Sequence, residues 1–130
     1  MTATLTSPRP GAPAHTDKVL VNYEVRDGLA IITLNDPPAN TYTYEMFRQL
    51  DAAILDARMA DEAHVIVIRG HGEKFFSAGA DLKKFAGDKV YARHFIARFG
   101  SAFEALMNAR FVTIAAINGY AMGGGLECCL

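Results

Sequence analysis

The sequence predicts an α/β fold, and three observations carry that prediction. Short runs rich in valine and isoleucine alternate with longer stretches whose apolar residues recur at three- and four-residue spacing. Their order, strand, strand, helix, strand, helix, strand, demands at least one crossover between parallel strands. With 130 residues, 51% of them hydrophobic and 21% charged, the chain is also long and apolar enough to bury a core.

Each element has a local cause. Val19 to Val25 ("VLVNYEV") alternates, with Val19, Val21, Tyr23 and Val25 on one face. Asp27-Gly28 is a hairpin turn pair, and Leu29 to Leu34 ("LAIITL") follows as a second, more buried strand. The prolines of "NDPPAN" cannot donate to a ladder, which makes that stretch a loop. Thr43 is placed to cap a helix running to about Met59, with Met46, Phe47, Leu50, Ile54 and Ala57 as its apolar stripe. His64 to Gly70 ("HVIVIRG") is apolar nearly throughout and reads as a strand covered on both faces. A polar loop containing Gly70, Gly72 and Gly79 leads to a second helix over Lys89 to Asn108, striped by Phe95, Phe99, Ala102, Phe103 and Leu106. Phe111 to Ile117 ("FVTIAAI") is a fourth strand and delivers the chain to three consecutive glycines, Gly123 to Gly125. Residues 1–17 are expected to form a disordered tail ahead of a core domain over 18–130.

Composition narrows the function. A net charge of −1 gives no reason to expect nucleic acid or an anionic membrane as partner. No apolar run approaches the roughly 20 residues of a membrane span, and the N-terminus lacks the apolar centre of a secretory signal. A cytoplasmic location is expected. Cys128 and Cys129 are adjacent, which fits neither a disulfide framework nor a zinc or redox pair; they read as small buried side chains in a reducing compartment. His15, His64, His71 and His94 have no ligand spacing, so no metal is expected. The chain contains no GxxxxGK[ST], GxGxxG or GxSxG sequence.

Two segments share one grammar, an apolar strand, a glycine loop and a helix start: "EKFFSAGADLKKF" (Glu73 to Phe85) and "INGYAMGGGLE" (Ile117 to Glu127). Glycine permits positive φ and close backbone approach, and a helix start leaves N–H groups unpaired. Two such loops meeting in space would aim two N–H donors at one oxygen, an oxyanion hole. If a helix begins near Gly124, Glu127 lies one turn along on the same face. Partly desolvated there, it would border the same pocket, while Leu126 and Cys128 turn away into packing. Asp81 reads equally as an N-cap for the short "LKKF" turn and as a substrate contact.

"FFSAGADLKKF" together with "INGYAMGGGLE", in that order and after "NDPPAN", resembles the enoyl-CoA hydratase/isomerase (crotonase) family over about residues 19–130. The resemblance implies a crotonase-like spiral of ββα units, truncated here before the C-terminal helical region. It implies that the backbone N–H groups of Ala80 and Gly124 hold the thioester carbonyl oxygen of an acyl-CoA, and that Glu127 is the first catalytic carboxylate. Ala80, Asp81, Leu82 and Lys83 match the stretch that lies against the CoA moiety, and Ala39 sits in the loop that flanks it. The implied activity is enoyl-CoA hydration, with isomerisation or another acyl-CoA reaction on the same scaffold, or a non-catalytic CoA-binding fragment, as alternatives. CoA enters as part of the substrate and no separate cofactor is implied. Family members are trimers or hexamers, so a homo-oligomer is expected of the full-length protein. The family's hydratases carry a second glutamate further along, so these residues alone are expected not to complete hydration.

Overall fold

The computed structural model describes residues 18–84, 87–109 and 111–130, and the expected N-terminal tail lies outside them. The first two strands, β1 (Val21–Arg26) and β2 (Leu29–Leu34), form an antiparallel hairpin. Its turn places Asp27 at φ 53° and Gly28 at φ 83°. Two successive positive φ values match the right-handed twist of the strands they join, which is why an Asp-Gly pair sits there.

Helix α1 (Tyr44–Met59) starts where the sequence places it, with Thr43 Oγ1 accepting from the Met46 N–H at 3.2 Å. Such a cap satisfies one of the N–H groups that no preceding turn can reach. The chain then crosses to β3 (Val65–Gly70), which pairs parallel with β2. Strand β4 (Phe75–Ser77) leaves this sheet, and a 3-10 turn at Leu82–Lys84 and helix α2 (Lys89–Met107) follow. Strand β5 (Val112–Ala116) pairs parallel with β3 and completes the order β1-β2-β3-β5. Strand β6 (Tyr120–Ala121) pairs parallel with β4 in a separate two-stranded sheet, and helix α3 (Gly124–Cys129) follows it.

The register explains the core. Ala30 lies opposite Ile66, and Ile32 opposite Ile68, so one face of the sheet is a continuous apolar row. Met46, Phe47, Leu50, Ile54 and Ala57 from the α1 stripe are buried in the same cluster. Helix α2 packs on α1 through aromatic rings. Phe47 meets Phe95, Phe99 and Phe103 edge-on, with centroids 5.4, 5.1 and 6.0 Å away, and Tyr42 at 4.8 Å. Edge-to-face geometry sets the positive ring edge against the negative ring face, adding about 0.5–1.5 kcal/mol per pair beyond the buried area.

Two expectations need correction. Strand β3 is not covered on both faces: Ile66, Ile68 and Gly70 are buried, whereas Val65 and Val67 are half-buried and Arg69 is exposed. The helices stack on one side of the sheet, so its apolar character exceeds what the described residues cover. Strand β5 shows the same excess, with Val112 65% exposed. The second correction is the β4/β6 sheet, which periodicity does not reveal because strands of two or three residues contain no repeat to read. This small sheet brings the two glycine loops together.

Candidate functional site

The site is built from the chain leaving β4 and the chain entering α3. After Ser77, Gly79 takes φ +90°, a conformation that strains any residue with a Cβ. Its carbonyl accepts from the Tyr42 N–H at 2.7 Å, and the Asp81 N–H donates to the Tyr42 carbonyl at 3.0 Å. The peptide joining Gly79 to Ala80 is planar and trans, so its N–H points opposite to its C=O. The Ala80 N–H therefore points away from Tyr42, and it has no acceptor among the described residues.

The second loop repeats the device. Gly123 sits at φ 53°, and its carbonyl accepts from the N–H groups of Leu126 and Glu127, each at 3.1 Å. By the same planarity, the Gly124 N–H points out of the first turn of α3. A Cβ on Gly79 would lie 2.9 Å from the Met122 carbonyl oxygen and 3.0 Å from the Gly124 nitrogen. A Cβ on Gly125 would lie 2.2 Å from the Ser77 carbonyl oxygen. The two loops thus touch backbone to backbone where neither chain has a side chain. The N–H groups of Ala80 and Gly124 flank that seam.

Glu127 stands in α3 beside an apolar cleft of about 330 Å³ lined by Phe99, Phe103, Leu106, Met107 and Cys128. The expected desolvation is absent: Glu127 is exposed, because no described element covers that side of α3. The expected division of neighbours also fails, since Leu126 is exposed and Cys128 lines the same cleft as Glu127. Cys128 and Cys129 are half-buried free thiols. Burial pushes the Cys128 thiol up to about 11, more than the neighbouring Tyr42 hydroxyl pulls it back. Only the thiolate is a nucleophile, so at pH 8 Cys128 is expected to react with iodoacetamide more than about tenfold more slowly than a free cysteine, with the rate climbing until the pH passes about 11. Mass-spectrometric quantification of the Cys128 adduct across pH checks this, and labelling that levels off near pH 8.5, the ordinary thiol value, would contradict it.

Of the residues that the resemblance assigns to CoA, Ala80 and Gly124 belong to the two loops of the seam, and Asp81, Leu82 and Lys83 follow Ala80 in the chain. Ala39 accepts the Ala78 N–H at 3.0 Å, which ties its loop to the first glycine loop. Asp81 caps the 3-10 turn, its Oδ1 accepting from the Lys83 N–H at 3.2 Å. Leu82 and Lys83 are exposed. Among the described residues no group of three or more His, Cys, Asp or Glu side chains is arranged to hold a metal ion, and no helix is long and apolar enough to cross a membrane.

Comparison with known proteins bears on the family and the fold. Residues 24–130 match the family described as enoyl-CoA hydratase/isomerase. The chain belongs to the enoyl-CoA hydratase/isomerase family. It is 41% identical over 112 residues to a probable enoyl-CoA hydratase of Rhizobium meliloti (strain 1021), covering 85% of this chain and 42% of that protein. Among solved structures, Pseudomonas aeruginosa DspI superposes with a TM-score of 0.81 at 51% identity, over 87% of this chain and 47% of that one. An enoyl-CoA hydratase from Bacillus anthracis superposes at 0.79 with 30% identity, over 85% of this chain and 44% of that one. The chain therefore spans under half the length of each of these proteins, and its fold is the crotonase fold over that span.

Three buried or half-buried polar residues at this crotonase seam escape a reading by motif. Asn40, at φ +50°, is 1% exposed; its side-chain amide donates toward the carbonyls of His71, Phe75 and Phe76, and its Oδ1 accepts the Asp36 N–H. Asn118 accepts the Gly70 N–H and donates to the Gly72 carbonyl. Ser77 is fully buried between the loops. The one sequence signal is Asn40 itself, since asparagine after a Pro-Pro turn is a residue that tolerates positive φ.

Proposed function

We propose that these residues supply the oxyanion-binding half of an enoyl-CoA hydratase site, together with its first acid/base group. The backbone contact between Gly79 and the Gly123–Gly125 turn supports this reading most strongly, because it sets side by side two loops whose Ala80 and Gly124 N–H groups have no acceptor among the described residues. In hydration, the Glu127 carboxylate takes a proton from water as the oxygen bonds to Cβ of the enoyl thioester. The Cα=Cβ electron pair moves toward the carbonyl, and negative charge gathers on the thioester oxygen. The N–H groups of Ala80 and Gly124 hold that charge, each contributing about 3 kcal/mol to the transition state. The enolate then collapses as Cα takes a proton from the second glutamate expected further along the full-length protein, and proton exchange with water restores both carboxyl groups. Ala39, Asp81, Leu82 and Lys83 border the path of the CoA moiety, and the whole protein works as a homo-oligomer.

Comparing crotonyl-CoA with the corresponding CoA thioether, which has no carbonyl oxygen, tests the reading. Two neutral hydrogen bonds of about 1 kcal/mol each predict that the thioester binds roughly thirtyfold more tightly by titration calorimetry. Glu127→Gln is expected to leave that ratio unchanged, since the carboxylate acts on water and not on the carbonyl. Equal affinity for the two compounds would refute the oxyanion assignment.

A further inference from the structure

Within the reading of the seam as an oxyanion hole, we propose that Ser77 is its positioning residue, a hydroxyl relay that locks both donor loops to the loop carrying Asn40. The hydroxyl is wholly buried and donates to the Asn40 carbonyl at 2.7 Å. Its oxygen accepts the Gly79 N–H at 3.1 Å. The Ser77 carbonyl accepts the Met122 N–H at 3.0 Å, immediately before the triple glycine. One residue thus holds the first donor loop by its side chain and the second by its backbone.

The consequence follows from which bonds are free to turn. Two planar peptides flank Gly79, and only its φ and ψ separate them. Tyr42 fixes the peptide that carries the Ala80 N–H, through the Gly79 carbonyl. Ser77 Oγ fixes the peptide before it, through the Gly79 N–H. With both ends held, Gly79 stays at φ +90° and the Ala80 N–H keeps one direction. Removing the hydroxyl frees one end, and glycine has the broadest choice of alternatives. The Gly79 N–H is also left buried with no acceptor, which drives the loop toward other conformations. Asn40 supplies the fixed end of the relay, because its own position is set by the side-chain bonds to the carbonyls of His71, Phe75 and Phe76. Ser77 touches no substrate in this arrangement; it acts through the direction of a neighbouring N–H.

The test separates positioning from folding by a spectroscopic readout. Cinnamoyl-CoA is a conjugated thioester whose absorption moves to longer wavelength when its carbonyl oxygen is polarised. The 130-residue chain is expected to shift that band on binding. Ser77→Ala is expected to lose most of the shift and to weaken the thioester-over-thioether preference about tenfold or more, with affinity for the thioether unchanged. Ser77→Cys, whose sulfur accepts more weakly, is expected to fall between the two and carries the test if the alanine variant does not fold. A full wild-type shift in either folded variant overturns the positioning role and leaves the oxyanion reading intact. A parallel loss of thioether binding also overturns it, since the effect would then be general unfolding. No shift with the unaltered chain overturns the oxyanion reading and this proposal with it.

Discussion

Gly79→Ala is expected to abolish the preference for a thioester over a thioether, bringing the ratio of affinities close to unity. Two separate penalties converge on this position. Alanine at φ +90° is strained by about 1–3 kcal/mol whatever surrounds it. The added methyl would also lie 2.9 Å from the Met122 carbonyl oxygen and 3.0 Å from the Gly124 nitrogen, both backbone atoms that cannot swing aside. Either the Gly79 loop relaxes to negative φ and turns the Ala80 N–H, or the two loops part and carry Gly124 away. Both outcomes remove donors from the seam. A lost oxyanion donor typically costs about 10²–10³-fold in rate, so an effect on turnover larger than that on binding is expected in any longer chain that completes the reaction. Calorimetric titration of the variant with crotonyl-CoA and the thioether decides the matter, and an unchanged affinity ratio would sink the proposed role of this seam.

The largest loss of stability is expected from Asn40→Ala. Deleting this side chain takes a donor from the buried Phe76 carbonyl and partners from the part-buried His71 carbonyl and Asp36 N–H, while the Phe75 carbonyl keeps the Asn118 amide. Each buried polar group left without a partner costs about 1–3 kcal/mol, and alanine tolerates φ +50° less well than asparagine. Urea denaturation is expected to show a loss of about 3–5 kcal/mol, a large part of what a domain of this size has. Asn35→Ala serves as the comparison: among the described residues its side-chain amide reaches only Asn22, at the surface, and a change within about 0.5 kcal/mol is expected. Similar losses for both variants would show that the Asn40 network contributes little.

Much of the fold was legible because its causes are local. Helix α1 begins after Thr43 and ends at Met59 as the cap and stripe imply, and α2 differs from its expected span by one residue, Asn108, which caps it. The Asp27-Gly28 turn fixes the first hairpin in the same way. Strand β3 is covered less than its composition implies, since apolar residues record what a strand can bury and say nothing about what is present to cover it. Glu127 was placed correctly on the first turns of α3, but its exposure depends on neighbours that no motif specifies.

The order of elements, the two glycine loops and the carboxylate three residues after Gly124 follow from local sequence, because propensity, capping and periodicity act over a few residues. That the loops meet follows from the folded chain alone. Their contact runs through β4 and β6, strands too short to show a pattern, and through hydrogen bonds linking Asn40, Ser77 and Met122 across long stretches of chain. Such contacts are set by which backbones pack without side chains between them. That property belongs to the folded chain and to no segment of it.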